Sequence, residues 1–202
     1  MINYFVLRKK FYAIYCIIIT LVIFLFLCYT KVELFLFINL HYNSVLDVFF
    51  YLITELGSTW TYLLVLLVSL FLSRRFTYSL LFGLLISSVL AQGLKHFVFD
   101  DANRPLEYFK NTMVIHHLNI SDALRFHSFP SGHSVSAFTL ATLIMAFSVK
   151  RKFDLVLLLA AFLVAYSRVY LGQHFVEDVV FGSFLGVFSG TLAAYVFRDK
   201  TT

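Results

Sequence analysis

His174 and Asp178 stand four residues apart, Arg168 lies six residues before the histidine, and all three sit in strongly apolar sequence. Upstream, Pro130-Ser131-Gly132-His133 opens another apolar run. Ionisable groups beside membrane-spanning stretches are costly unless paired or used, so these residues are candidates for function. The spacing predicts His174 and Asp178 on one face of a helix that enters the last apolar stretch. A carboxylate there would accept a hydrogen bond from one imidazole nitrogen, fixing the tautomer and leaving the other nitrogen free to attack an electrophile. The plainer alternative is a polar helix cap with Asp178 serving the helix dipole. Arg168 and the second histidine favour the chemical reading, phosphoryl transfer through a histidine.

Pro130 and Ser131 are expected to start a helix, with Ser131 as cap and Gly132 allowing close approach of a ligand to the backbone. The free N–H groups of such a helix end form an anion site, and His133 beside it is placed to protonate a departing oxygen. Lys95 and Arg104 add cations: arginine matches phosphate oxygens bidentately, whereas lysine acts as a point charge. Lys95 alone would read as an anchor snorkelling from a helix end, and Arg104 as a solvated loop residue. Arg168 lies deepest and needs an anionic partner.

The elements that must hold these residues are membrane helices. Of 202 residues, 60% are hydrophobic and 13% charged, with 25 phenylalanines, which leaves too little polar surface for a water-soluble domain. Six spans are expected: Phe11–Tyr29, Trp60–Ser73, Thr77–Phe99, Gly132–Val149, Phe153–Leu171 and Val179–Phe197. Val32–Gly57, apolar but broken by Asn39, Asn43, Asp47 and Glu55, is expected to form short helices on the outer surface or capping the bundle. The fold class is therefore all-α, a six-helix membrane bundle, with residues 1–202 as one domain. The clusters Arg8-Lys9-Lys10, Arg74-Arg75, Lys150-Arg151-Lys152 and Arg198 with Lys200 hold ten of the 16 basic residues and fall on one side of alternating spans. The positive-inside rule puts both termini in the cytoplasm and the loop Asp100–Ser131 outside. The net charge of +5 thus orients the chain in a membrane, and no nucleic-acid partner is expected. The first span follows basic residues, but no Ala-x-Ala-like cleavage site follows it, so it is expected to be retained. Cys16 and Cys28 both lie in that span and offer neither a disulfide framework nor a thiolate metal site.

Counting from the basic clusters gives 20 residues to Lys95 from Arg75, 17 to His133 from Lys150, 16 to Arg168 from Lys152 and 20 to Asp178 from Arg198. At 1.5 Å per helical residue these are roughly 24 to 30 Å, about one hydrocarbon thickness. Four residues distant in sequence therefore share a depth near the outer boundary and can form one site.

Ser167-Arg168 with His174 and Asp178, Pro130-Ser131-Gly132-His133, and Lys95 with Arg104-Pro105 together resemble the three motifs of the type 2 phosphatidic acid phosphatase family of integral membrane lipid phosphatases. The second and third motifs match in full. The first departs: the family usually leaves six residues between its lysine and Arg-Pro, whereas eight separate Lys95 from Arg104, and strict spacing would put Phe97 in the lysine's place. A bulge around Asp100-Asp101 could absorb the difference. The resemblance implies His174 as nucleophile, Asp178 as its orienting partner, His133 as acid, and Lys95, Arg104, Ser131, Gly132 and Arg168 as phosphate ligands. It also implies no metal and no cofactor. The partners implied are a lipid phosphate and membrane lipids, with undecaprenyl diphosphate, lipid A phosphates, phosphatidylglycerol phosphate and phosphatidate left open. The expected location is a bacterial inner membrane. A transporter should show polar residues near mid-membrane, and a non-catalytic lipid binder should have lost a histidine. Vanadate-dependent haloperoxidases share the architecture but are soluble. His116, His117 and His127 match no motif and are expected to be solvated, with contact to a lipid headgroup as the lesser alternative.

Overall fold

The computed structural model describes residues 8–112, 115–118, 125–148 and 151–197. Lys150, Arg198, Lys200 and the expected span end at Val149 lie outside them. The described residues are helical, with no strand among them: α1 (Lys9–Cys28), α2 (Lys31–Asn39), α3 (Ser44–Thr54), α4 (Thr59–Ser69), α5 (Arg74–Gly93), α6 (Pro105–Tyr108), α7 (Gly132–Phe147), α8 (Asp154–Tyr170) and α9 (Val176–Phe197).

Helix α7 is the hub. It packs most extensively on α9, then on α8 and α5, and it is buried around nearly its whole circumference from Ser134 to Ala146. The reason is written on α9, where Gly182, Gly186 and Gly190 recur every fourth residue. A Cβ at Gly182 would come within 2.7 Å of the Ser131 carbonyl oxygen, and one at Gly186 within 2.5 Å of that of Val135. Only glycine lets the two backbones meet this closely, the small-residue packing by which helices associate in lipid without a hydrophobic driving force. At the opposite end from the Gly132 terminus, Arg8 Nη1 donates to both carboxylate oxygens of Asp154 at 2.9 Å, and Nη2 donates to the Ser148 carbonyl. The basic start of α1 and the start of α8 therefore share one end of the bundle.

Among the described residues, three helical stretches are long and apolar enough to cross a membrane: Lys9–Cys28, Arg74–Val98 and Val176–Phe197. A fourth crossing is available only if Lys31–Asn39 and Ser44–Gly57, bent by 114° at their break, count as one. The six spans expected from sequence are thus not all distinguished by length. Helix α4 has 11 residues, roughly 16 Å, because its apolar run turns at 70–72 before Arg74. Helix α7 has 16 residues, roughly 24 Å. The molecule is a helical integral membrane protein.

Candidate active site

The site forms at the Gly132 end of α7, where four chain segments converge. After Tyr170 the chain leaves α8 through Gly172, whose φ of +69° lies in the left-handed region that glycine adopts without strain. A Cβ there would also strike the His116 carbonyl oxygen at 2.6 Å. The turn is closed by backbone bonds from Gln173 and His174 to the Arg168 carbonyl, 2.9 and 3.2 Å. Phe175 anchors it from the other side, its ring 5.3 Å from that of Phe35, which in turn stacks on Phe109. His174 therefore precedes α9 rather than riding on it, which corrects the expectation of a shared helical face. Asp178, in the first turn of α9, folds back instead. Its Oδ2 accepts from the Phe175 N–H at 2.9 Å and stands 3.3 Å from His174 Nδ1, leaving Nε2 facing away from the carboxylate.

A third group on that oxygen was not singled out from the sequence. The Ser128 hydroxyl donates to Asp178 Oδ2 at 2.5 Å and lies 3.4 Å from His174 Nδ1. The loop carrying Ser128 also brings its neighbour Ser131 N–H to the Asp178 carbonyl, 3.0 Å. Ser131 occupies the N-cap position but, contrary to expectation, makes no side-chain cap; its hydroxyl instead accepts from Ser134 Oγ at 3.3 Å. The first turn of α7 is thus left uncapped by side chains, with open space where a Gly132 Cβ would be. That arrangement suits an anion.

The cations surround the same point. Arg104, at the N-cap of α6, reaches the Phe126 carbonyl at 3.2 Å and both oxygens of Gln173 at 3.4 Å. Lys95 Nζ donates to the His127 carbonyl at 2.7 Å. Lys95 is 8% exposed and Phe97 is 89% exposed, so the lysine and not the phenylalanine turns inward. The cause is a π-helical turn over Leu94–Val98, whose wider winding takes up extra residues before the bulge expected at Asp100-Asp101 is reached. Arg168 points Nη1 at Thr54 Oγ1, 2.9 Å away, while its buried Nε has no hydrogen-bond partner among the described residues. Burial first, then the charges of Arg104, Arg168, Lys95 and His133, pull the His174 imidazole well below its ordinary 6.5. Lys95, Arg104, Arg168 and His133 thus all act electrostatically on His174, which stays neutral.

His133 lines an opening of about 200 Å³ with Gly132, Gly57, Tyr62 and Gln92. Gly57 is small by necessity, since a Cβ would sit 2.7 Å from the His133 carbonyl oxygen. The segment expected only to lie on the surface or cap the bundle therefore supplies Thr54 and Gly57 to the site. His116 is also not solvated. Its Nε2 lies 2.8 Å from Asp47 Oδ1, an oxygen that also accepts from Tyr170 at 2.7 Å, and its ring stacks on Tyr42. His117 is half-buried, and His127 is 38% exposed at its side chain.

Residues 76–202 match the PAP2 superfamily, a span that takes in Lys95, Arg104, Ser128, Ser131, Gly132, His133, Arg168, His174 and Asp178. This chain belongs to the PAP2 superfamily. Among solved structures it resembles Aquifex aeolicus LpxE, with a TM-score of 0.70 and 31% identity over 81% of this chain and 94% of that one. A PAP2-type phosphatidylglycerolphosphate phosphatase from Bacillus subtilis shares the fold, with a TM-score of 0.67 and 23% identity over 96% and 98% of the two chains. The lipid A 4'-phosphatase of Bacteroides thetaiotaomicron is 37% identical over 73 residues, which is 36% of this chain. The match spans about a third of that relative's length, 32%.

Proposed function

We propose that this PAP2 protein is a membrane lipid phosphatase working through a phosphohistidine. The observation that carries the reading is the contact of Asp178 and Ser128 with His174 Nδ1 beside Lys95, Arg104 and Arg168. The neutral His174 attacks phosphorus through Nε2 while Nδ1–H is held by the carboxylate. As the N–P bond forms, the bond to the lipid oxygen breaks and His133 delivers the proton that oxygen needs. Water then attacks the phosphohistidine, His133 takes its proton, and inorganic phosphate leaves with His174 restored. Lys95, Arg104, Arg168 and the Ser131-Gly132 helix end hold the phosphate oxygens, so charge and positioning do the work and no metal is required. Of the candidate lipids, undecaprenyl diphosphate, phosphatidylglycerol phosphate, phosphatidate and lipid A phosphate, the likeness to a lipid A 4'-phosphatase favours the last. Residues 1–202 act as one domain with six crossings of a bacterial inner membrane, termini in the cytoplasm and the site facing outward. The shared end of Arg8 and Asp154, remote from the site, supports this orientation.

Phosphate release from the four lipids, set beside p-nitrophenyl phosphate, tests the roles. General acid catalysis contributes about 10²–10⁴-fold when the leaving oxygen is poor, and little when a phenolate departs unaided. His133→Ala should cripple lipid hydrolysis yet keep a substantial share of aryl ester hydrolysis, whereas His174→Ala should abolish both. Equal losses for His133→Ala on the two substrates would remove the acid assignment, and an active His174→Ala enzyme would remove the nucleophile.

A further inference from the structure

Outside the phosphate site, His96, Asp100 and His127 each offer one ligand atom within 4.8 Å of the other two. His96 belongs to the π-helical turn after α5, Asp100 follows two residues beyond it, and His127 approaches from the loop that precedes α7. The two rings are tilted at 56° with centroids 4.7 Å apart, an arrangement that is not a stack. The decisive contact is His127 Nδ1 to Asp100 Oδ1. The atoms stand 3.4 Å apart, yet the buried Nδ1 makes no hydrogen bond among the described residues. Two ligands on a tetrahedral zinc with bonds of about 2.1 Å are themselves roughly 3.4 Å apart. Nδ1 and Oδ1 therefore already have the spacing of two zinc ligands.

We propose that His96, Asp100 and His127 form a binding site for a divalent transition metal, with zinc as the fitting ion. Two imidazoles and one carboxylate are a borderline donor set that suits zinc and disfavours magnesium or calcium, which want oxygen shells. A water fills the fourth position. His96 and Asp100 are both exposed, so rotation of their side chains closes the remaining gap. The ion would clip the π-helical turn to the loop before α7. These are the two segments that Lys95 already joins through its bond to the His127 carbonyl, and Ser128 follows directly. The site is structural, at the rim, and takes no part in phosphoryl transfer, so its existence does not depend on the phosphatase reading.

The test is equilibrium dialysis of the purified full-length protein in detergent, stripped with EDTA, freed of chelator and offered zinc. Wild type should retain one zinc per chain and melt at a higher temperature with zinc than without, because an ion that binds only the folded state stabilises it. His96→Ala and Asp100→Asn, at exposed positions that the fold does not need, should each weaken retention at least tenfold and reduce the thermal shift. His116→Ala and His174→Ala should keep the metal, which separates this site from the Asp47 network and from the phosphate site. Absence of retained zinc in wild type overturns the proposal, as does full retention by the His96→Ala, Asp100→Asn double variant. In either case His127 and Asp100 are an ordinary side-chain contact.

Discussion

Replacing Gly186 by alanine tests how the active site is held. The added Cβ would lie 2.5 Å from the Val135 carbonyl oxygen, 2.7 Å from Phe138 Cβ and 3.0 Å from the Thr139 nitrogen. Ordinary non-bonded separations are about 3.5 Å, so the methyl is roughly 1 Å too close to a backbone that cannot rotate away. Helices α7 and α9 must then part by a similar distance at that level. Overpacking of this kind costs about 1–3 kcal/mol, against roughly 1 kcal/mol recovered from the better helix propensity of alanine. A net loss of up to about 2 kcal/mol is expected, and more for Gly186→Val. The same helix pair carries the site: Gly182 meets Ser131 one turn higher, and the 3.0 Å bond from Ser131 N to the Asp178 carbonyl lies a turn above that. Opening the pair by 1 Å displaces Asp178 and His174 from the α7 terminus, and a misplacement of that size costs about 10²-fold in rate. Thermal unfolding in detergent and kcat on p-nitrophenyl phosphate should therefore fall together. Gly93→Ala, where a Cβ meets nothing within 4 Å, should keep kcat and melt no lower than wild type. If Gly186→Ala were as stable and active as wild type, or if Gly93→Ala fell equally, the backbone contact would not be what sets the site.

Ser128→Ala removes one of three donors from Asp178 Oδ2, a charge-assisted bond worth about 1.5–3 kcal/mol. A loss of kcat of about 10- to 100-fold is expected, with recovery in Ser128→Thr; an unchanged kcat would make Ser128 a bystander. Because His174 is held well below 6.5 when folded, the unfolded chain binds the extra proton first. This residue therefore takes away stability as pH falls below about 6.5, by on the order of 1.4 kcal/mol per unit, and has no effect above it. The drop in melting temperature from pH 7 to pH 5 should be larger for wild type than for His174→Gln, and equal drops would refute a buried neutral imidazole. For topology, single cysteines replacing Asn111 and Arg151 in a background without Cys16 and Cys28 should differ toward an impermeant thiol reagent on intact cells. Position 111 should label and position 151 should not, and the reverse would turn the site inward.

The chemistry was legible in the sequence because phosphoryl transfer needs particular side chains, and within a motif those stand close along the chain. His174 with Asp178, Arg168, and Pro130 to His133 could be named from type and spacing alone. The membrane setting followed from composition, since so apolar a chain has no other solvent. The glycines at 182, 186 and 190 were equally readable, and their four-residue period was the overlooked signal for the α7–α9 contact. Tertiary structure decided what depends on approach between distant segments. Ser128 meets Asp178 across 50 positions, and Thr54 meets Arg168 across 114. No local periodicity encodes such pairings, because they arise from how glycine-lined helices close on one another. The inward choice of Lys95 over Phe97 likewise rests on a π-helical turn, a change of winding that residue counting at 3.6 per turn cannot register. His174 left the helix for the same kind of reason: a left-handed glycine and a buried phenylalanine on either side of it made a turn that the i, i+4 spacing could not reveal.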